Sequence, residues 1–294
     1  LVRTNHLPAL SALREATTMT MRDSAAFAAT MAGALAHPTS DIRLTPRQRR
    51  REAQHFARVQ NAQAVYQAQL RRVARQVGEI IQAYPIGDPA ALAALMSLLD
   101  QYAVVLRPWA YAAAQRMIAE VLRRDETAWF RHAEMIGEEI RREMLGPGPT
   151  GLQMRQLVED QVQLITSIPT DAGRDVQQKS REYWAGGIRY DELRDYIFGR
   201  GDVTYNRATL IARTETAKTA SAVTQSRAEF IGSTHYIWRS VQDIDVRRMH
   251  KLLNGTTQAW DDPPIAEENG ERHHPGNFPN CRCFAEPILP AIIT

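Results

Sequence analysis

Between Thr45-Pro46 and about Tyr84, apolar positions return every seven residues in two interleaved registers. Val59, Tyr66, Val73 and Ile80 make one, and Phe56, Gln63, Leu70, Val77 and Tyr84 make the other. Such spacing is met by a long helix whose apolar face is a narrow seam. Thr45 reads as its N-cap and Pro46 as a first-turn proline. At 1.5 Å rise per residue the helix would be on the order of 60 Å long, and a stripe so narrow is buried by lying along another helix. Partners are available in the same chain. Asp88-Pro89 opens a shorter apolar helix to about Leu106. Pro108 opens another to about Leu145, in which Leu122, Trp129 and Ile136 are spaced by sevens, with Ala133 and Ile140 on the adjoining register. Long helices joined by short proline-marked turns predict antiparallel hairpins.

The stretch Gly146-Pro147-Gly148-Pro149-Thr150-Gly151 is the strongest break in the chain. It divides an extended helical arm at 1–150 from a helical connector at 151–200 and a head at 201–294. Shorter helices are expected at 151–167, 171–185 and 189–198, followed by a longer one at about 204–231. Tyr236, Trp238 and Val241 then suggest a strand, 245–254 a short helix, and Cys281 to Ile288 another strand, with 262–280 loop-like. The expected fold class is mainly α, a long helical hairpin arm followed by a small α+β C-terminal domain.

No run of eighteen uncharged apolar residues is present, so no membrane span is expected. Arg3, Arg14 and Arg22 are not followed by a continuous apolar stretch, so no secretory leader is expected either. Two cysteines in 294 residues make no disulfide framework and suggest a protein made in a reducing cytosol.

Net charge is only +3, but residues 1–84 carry twelve arginines against five acids. Arg47, Arg49, Arg50, Arg51, Arg58, Arg71, Arg72 and Arg75 form a basic face on the long helix. Guanidinium forks suit phosphate and carboxylate surfaces, so a polyanion or an acidic protein surface would satisfy this face.

Nearly all of the His/Cys chemistry lies in the last fifty-odd residues. Both cysteines sit in one Cys281-x-Cys283, and His250, His273 and His274 are within about thirty residues of them. In an extended strand, side chains two apart share a face, which presents both thiols together. With His250 and His273 or His274 they could make a Cys/Cys/His/His zinc set, although the spacing is not that of a standard finger. The bland reading is two small half-buried hydrophobes beside a loop. Asp243 or Asp245 could cap a helix bearing His250, or Asp245 and His250 could be part of a metal-ligand set. Glu215 falls on the apolar stripe of its helix with Ala208, Ile211, Thr219 and Ala222, so it needs a partner from another element. Arg213 faces elsewhere and cannot serve. No nucleotide-binding glycine fingerprint and no serine nucleophile motif is readable.

The order Ile211-Ala212-Arg213-Thr214-Glu215, then Trp238 with Asp243, Asp245, Arg247, His250 and Gly255, then Pro275 through Asn280-Cys281-Arg282-Cys283 and Pro287, resembles the phage head morphogenesis family. These are minor head proteins similar to protein F of phage Mu. The resemblance covers roughly 175–288. It marks Arg213, Glu215, Trp238, Asp245, His250, Asn280, Cys281, Arg282 and Cys283. It implies a non-enzymatic minor virion component, made in the host cytoplasm and held inside the capsid near the portal vertex. Its implied partners are the portal protein, the major capsid or scaffold protein and packaged DNA, and its implied roles are head assembly, DNA packaging or delivery. The doubled histidine and the Gly-Asn-Phe-Pro insertion before Asn280 depart from a shorter His-Pro-Asn run in many relatives. The rival readings are a metal-dependent nuclease built on His250, His273 and His274, and a redox or metal-relay module using the two thiols.

Overall fold

The computed structural model describes residues 46–129, 146–230, 232–241 and 244–288, without the side chains of 46–58, 124–129 and 149. The described residues form long helices α1 (Pro46–Gln82), α2 (Pro89–Trp129), α3 (Pro149–Trp184) and α4 (Tyr190–Phe230), then a small C-terminal α+β part. That part contains β1 (His235–Arg239), α5 (Arg248–Leu253), β2 (Thr257–Ala259) and β3 (Phe284–Pro287). The mainly α class with a small α+β end is therefore what the chain adopts.

Prolines open the first three helices because the missing N–H is unsatisfied there in any case. At α2 the Asp88 carboxylate accepts from the Ala90 N–H at 2.9 Å, completing the cap. The seam on α1 is buried through Tyr66, Leu70, Val73 and Val77. Its main neighbour is α4, from the far end of the sequence, and α2 packs against it less extensively. Gly78 and Gly201 allow a close crossing of α1 and α4: a Cβ built on Gly78 would stand 3.2 Å from the Gly201 Cα.

Buried apolar residues from Ala62 to Val223, drawn from all four long helices, form one continuous cluster. The helical hairpin is thus part of a bundle with α3 and α4 and does not stand free as an arm. Apolar faces on α3, with Val162, Ile165, Ile168 and Val176, and on α4 need covering, and α1 and α2 cover them.

Three expected interruptions are absent. Pro108 lies inside α2 and Pro169 inside α3, and Gly199 and Gly201 lie inside α4. A proline removes one helical hydrogen bond, a loss that packing against neighbouring helices offsets here. The expected run through Ile136 to Leu145 falls outside the described residues.

One helix, Pro89–Arg123, is long and apolar enough by length and composition to cross a membrane, contrary to the sequence expectation. Asp100, Arg107 and Arg116 break its apolar run but do not offset the average. Leu92, Leu95, Leu99 and Leu106 on its inner face are buried in the bundle, whereas Leu98, Val104 and Val105 are exposed.

The sheet has the order β2-β1-β3, antiparallel throughout, with Trp238 opposite Ala285 and Tyr236 opposite Gln258. Trp238, Tyr236 and Trp260 form a second, small core with Cys281, Cys283 and Ala285, to which the end of α4 contributes Ala228.

Candidate functional site

The loop that carries the two cysteines is built against α4. Asn280 adopts φ 59°, a left-handed conformation that asparagine tolerates better than most residues. Its N–H donates to Thr214 Oγ1 at 3.3 Å, and Arg213 Nη1 donates to its Oδ1 at 3.3 Å. Gly276, at φ 91°, lies so close to α4 that a Cβ there would meet the Ala217 carbonyl oxygen at 3.1 Å. Cys281 and Cys283 follow this turn and precede β3, so they lie just outside the strand in which the sequence placed them.

Both thiols converge on one imidazole. His250, on α5, places Nδ1 3.6 Å from Cys281 Sγ and 3.4 Å from Cys283 Sγ. Its Nε2 lies 3.2 Å from Glu267 Oε1. His250 is 2% exposed, and the fully buried Trp238 packs edge-on against its ring at 5.2 Å. Cys281 Sγ accepts from the N–H groups of Gly276 and Cys283, each at 3.4 Å. The Cys283 S–H first, then His250 and the Cys283 N–H, favour the ionised form of Cys281 against the opposing effect of burial and hold its thiol well below the usual range. Cys281 in turn pushes the Cys283 thiol up, reinforced by burial, because two adjacent sulfurs do not both ionise unaided.

His273 belongs to the other side of the ring. Its Nε2 is 3.4 Å from the same Glu267 oxygen without an aligned hydrogen bond, and its ring stacks on Phe278 at 5.1 Å. The expected four-residue set is therefore split into two clusters that share His250: His250, Cys281 and Cys283, and His250, Glu267 and His273. His274 joins neither. It lies 3.0 Å from the Tyr236 hydroxyl and packs on Trp260, and burial holds its pKa below the ordinary histidine value. The three histidines of the nuclease reading do not form one ligand set.

Other expectations resolve as follows. Asp245 neither caps α5 nor accompanies His250: the N-cap is Arg247 with no side-chain cap bond, and Asp245 is 78% exposed, 3.8 Å from Arg282. Asp243 lies outside the described residues. Glu215 is buried as expected, but its partner is Lys218 of the same helix, at 3.0 Å, and it raises the Tyr66 pKa across the α1 interface after desolvation has done so. It does not join α4 to the head. Arg71 is taken up by α4, donating to Thr209 Oγ1 at 3.0 Å with its guanidinium over the Tyr205 ring, while Arg72 and Arg75 are exposed. The side chains of Arg47, Arg49, Arg50, Arg51 and Arg58 lie outside the described residues.

Glu267 was not singled out by sequence. It sits in a small hairpin-like strap in which Ile265 bridges Arg272, turned at Asn269-Gly270. An Asn-Gly pair is a hairpin signal, but nothing in the spacing separates Glu267 from Glu268 or Glu271. The two thiols line a cavity of about 830 Å³, along with Arg213, Arg247 and Arg282 and, from α1, Gln60 and Gln63.

Residues 174–286, which hold Arg213, His250 and the Cys281–Cys283 loop, match the family described as Phage Mu protein F like protein. An uncharacterized protein of Haemophilus influenzae is 31% identical over 137 residues, which are 47% of this chain and 30% of that protein. The chain therefore spans less than a third of that relative's length. No solved structure matches the chain.

Proposed function

We propose that the protein is a minor head component of a tailed bacteriophage, acting in capsid assembly, DNA packaging or delivery from a position at the portal vertex inside the head. The observation that carries this reading is the family match over 174–286, which takes in α4 and the C-terminal sheet up to Glu286 of β3. Its cluster is deeply buried, with Cys281 2% and His250 2% exposed, as suits a module stabilised for binding. The portal protein is the expected partner, with the major capsid or scaffold protein and packaged DNA as further contacts. Arg72 and Arg75 remain exposed for a polyanion or an acidic protein. No observation favours the nuclease alternative.

The test is to tag the protein in an infected host, purify heads and cross-link them. The expected result is tag co-sedimenting with heads and cross-links to the portal protein. Tag that stays wholly in the unassembled fraction would overturn the proposal.

A further inference from the structure

We propose that Cys281, Cys283 and His250 Nδ1 bind one zinc-type divalent cation, with Glu267 positioning the imidazole from its other nitrogen and His273 outside the ligand set. This goes beyond the virion reading and does not depend on it.

The three donor atoms lie within 4.8 Å of one another, and all three residues are buried. Two sulfurs and an imidazole nitrogen are a borderline-soft set that selects zinc over magnesium or calcium. The surroundings are those of metal-bound thiolates. Cys281 Sγ already receives two backbone N–H groups. Trp238 packs edge-on against the His250 ring, with its buried indole N–H free of any aligned partner.

His250 supplies the decisive geometry. Glu267 Oε1, 3.2 Å from Nε2, is placed to accept a hydrogen bond from that nitrogen, which would leave the Nδ1 lone pair for the ion in the carboxylate–histidine–metal arrangement. His273 approaches the carboxylate, not the thiols, so it acts behind the centre. The same contacts also describe a thiol nucleophile with a histidine base oriented by a carboxylate. That arrangement needs one sulfur, and here two converge on Nδ1 with nearly equal distances. Three protein ligands leave a tetrahedral ion one further position. Both thiols line the arginine-rimmed cavity, so an oxygen donor, water or an anion, would reach the ion from there.

The experiment uses the full chain, purified from zinc-supplemented cells for metal analysis and then loaded with cobalt(II). The expected result is one metal per chain and a thiolate-to-cobalt charge-transfer band in the near ultraviolet. Cys281→Ser, Cys283→Ser and His250→Ala should abolish the band, Glu267→Gln should weaken affinity roughly 10- to 100-fold, and His273→Ala should leave stoichiometry and spectrum intact. If the cysteine variants do not fold, the wild-type spectrum and the His273→Ala comparison still decide. The proposal is overturned by metal-free protein without the cobalt band, by loss of metal in His273→Ala, or by rapid alkylation of Cys281 in the presence of excess zinc.

Discussion

Arg213 on α4 donates a hydrogen bond to the Asn280 side chain, 67 residues further along, and so ties the cysteine loop to the bundle. The same asparagine carries a positive φ of 59°. Asn280→Gly keeps the backbone conformation and loses only the clasp, so it should cost about 0.5–1.5 kcal/mol. Asn280→Ala adds left-handed strain of about 1 kcal/mol or more. Urea denaturation monitored by tryptophan fluorescence should rank alanine below glycine, and the reverse order would refute the strain argument.

Gly276 combines a φ of 91° with a Cβ position 3.1 Å from a backbone carbonyl that cannot easily move. Gly276→Ala should therefore lift the loop off α4 and cost more than the roughly 1–2 kcal/mol of left-handed strain alone. Near-ultraviolet circular dichroism of Trp238 and Trp260 should change with it. An unchanged spectrum and an unchanged midpoint would show that the loop accommodates the methyl group.

Buried Glu215 is balanced by Lys218, itself 37% exposed. Removing the cation leaves a buried carboxylate without its donor, so Lys218→Ala should destabilise by about 1–3 kcal/mol. Glu215→Gln removes the charge with it and should cost less. Equal losses in the two variants would argue that the pair contributes nothing specific.

His274 is kept neutral by burial, assisted by its neighbour His273 and opposed by the Trp260 backbone and Glu229. Its folded pKa is depressed, so in the window below the ordinary histidine value of about 6.5 the unfolded chain binds the extra proton and the folded chain resists it. Stability should fall as pH drops through that window. His274→Gln should flatten the dependence of melting temperature on pH between about 7.5 and 5.5. A slope identical to that of the wild type would assign the effect to another group.

The helical class was legible because Tyr66, Leu70, Val73 and Val77 repeat with helical spacing and are buried accordingly. Which helix buries them was not, since a seven-residue repeat specifies a seam and not its partner. Pro108, Pro169 and Gly201 read locally as breaks, yet tertiary packing carries the helices through all three. At the site, His250, Cys281 and Cys283 were candidates by residue type, and the structure brings them together. Glu267 and the separation of His273 depend on the path of a 19-residue loop from Asp262 to Asn280, which no spacing encodes.

α4 has one face in the bundle core and its last turns in the core of the sheet, with no joint between them among the described residues. A push delivered to the small sheet by a bound neighbour would have no linker in which to dissipate. The same unbroken helix that enters the sheet core also makes the close Gly78–Gly201 crossing with α1, so a displacement of the sheet would be carried to that crossing along one continuous backbone.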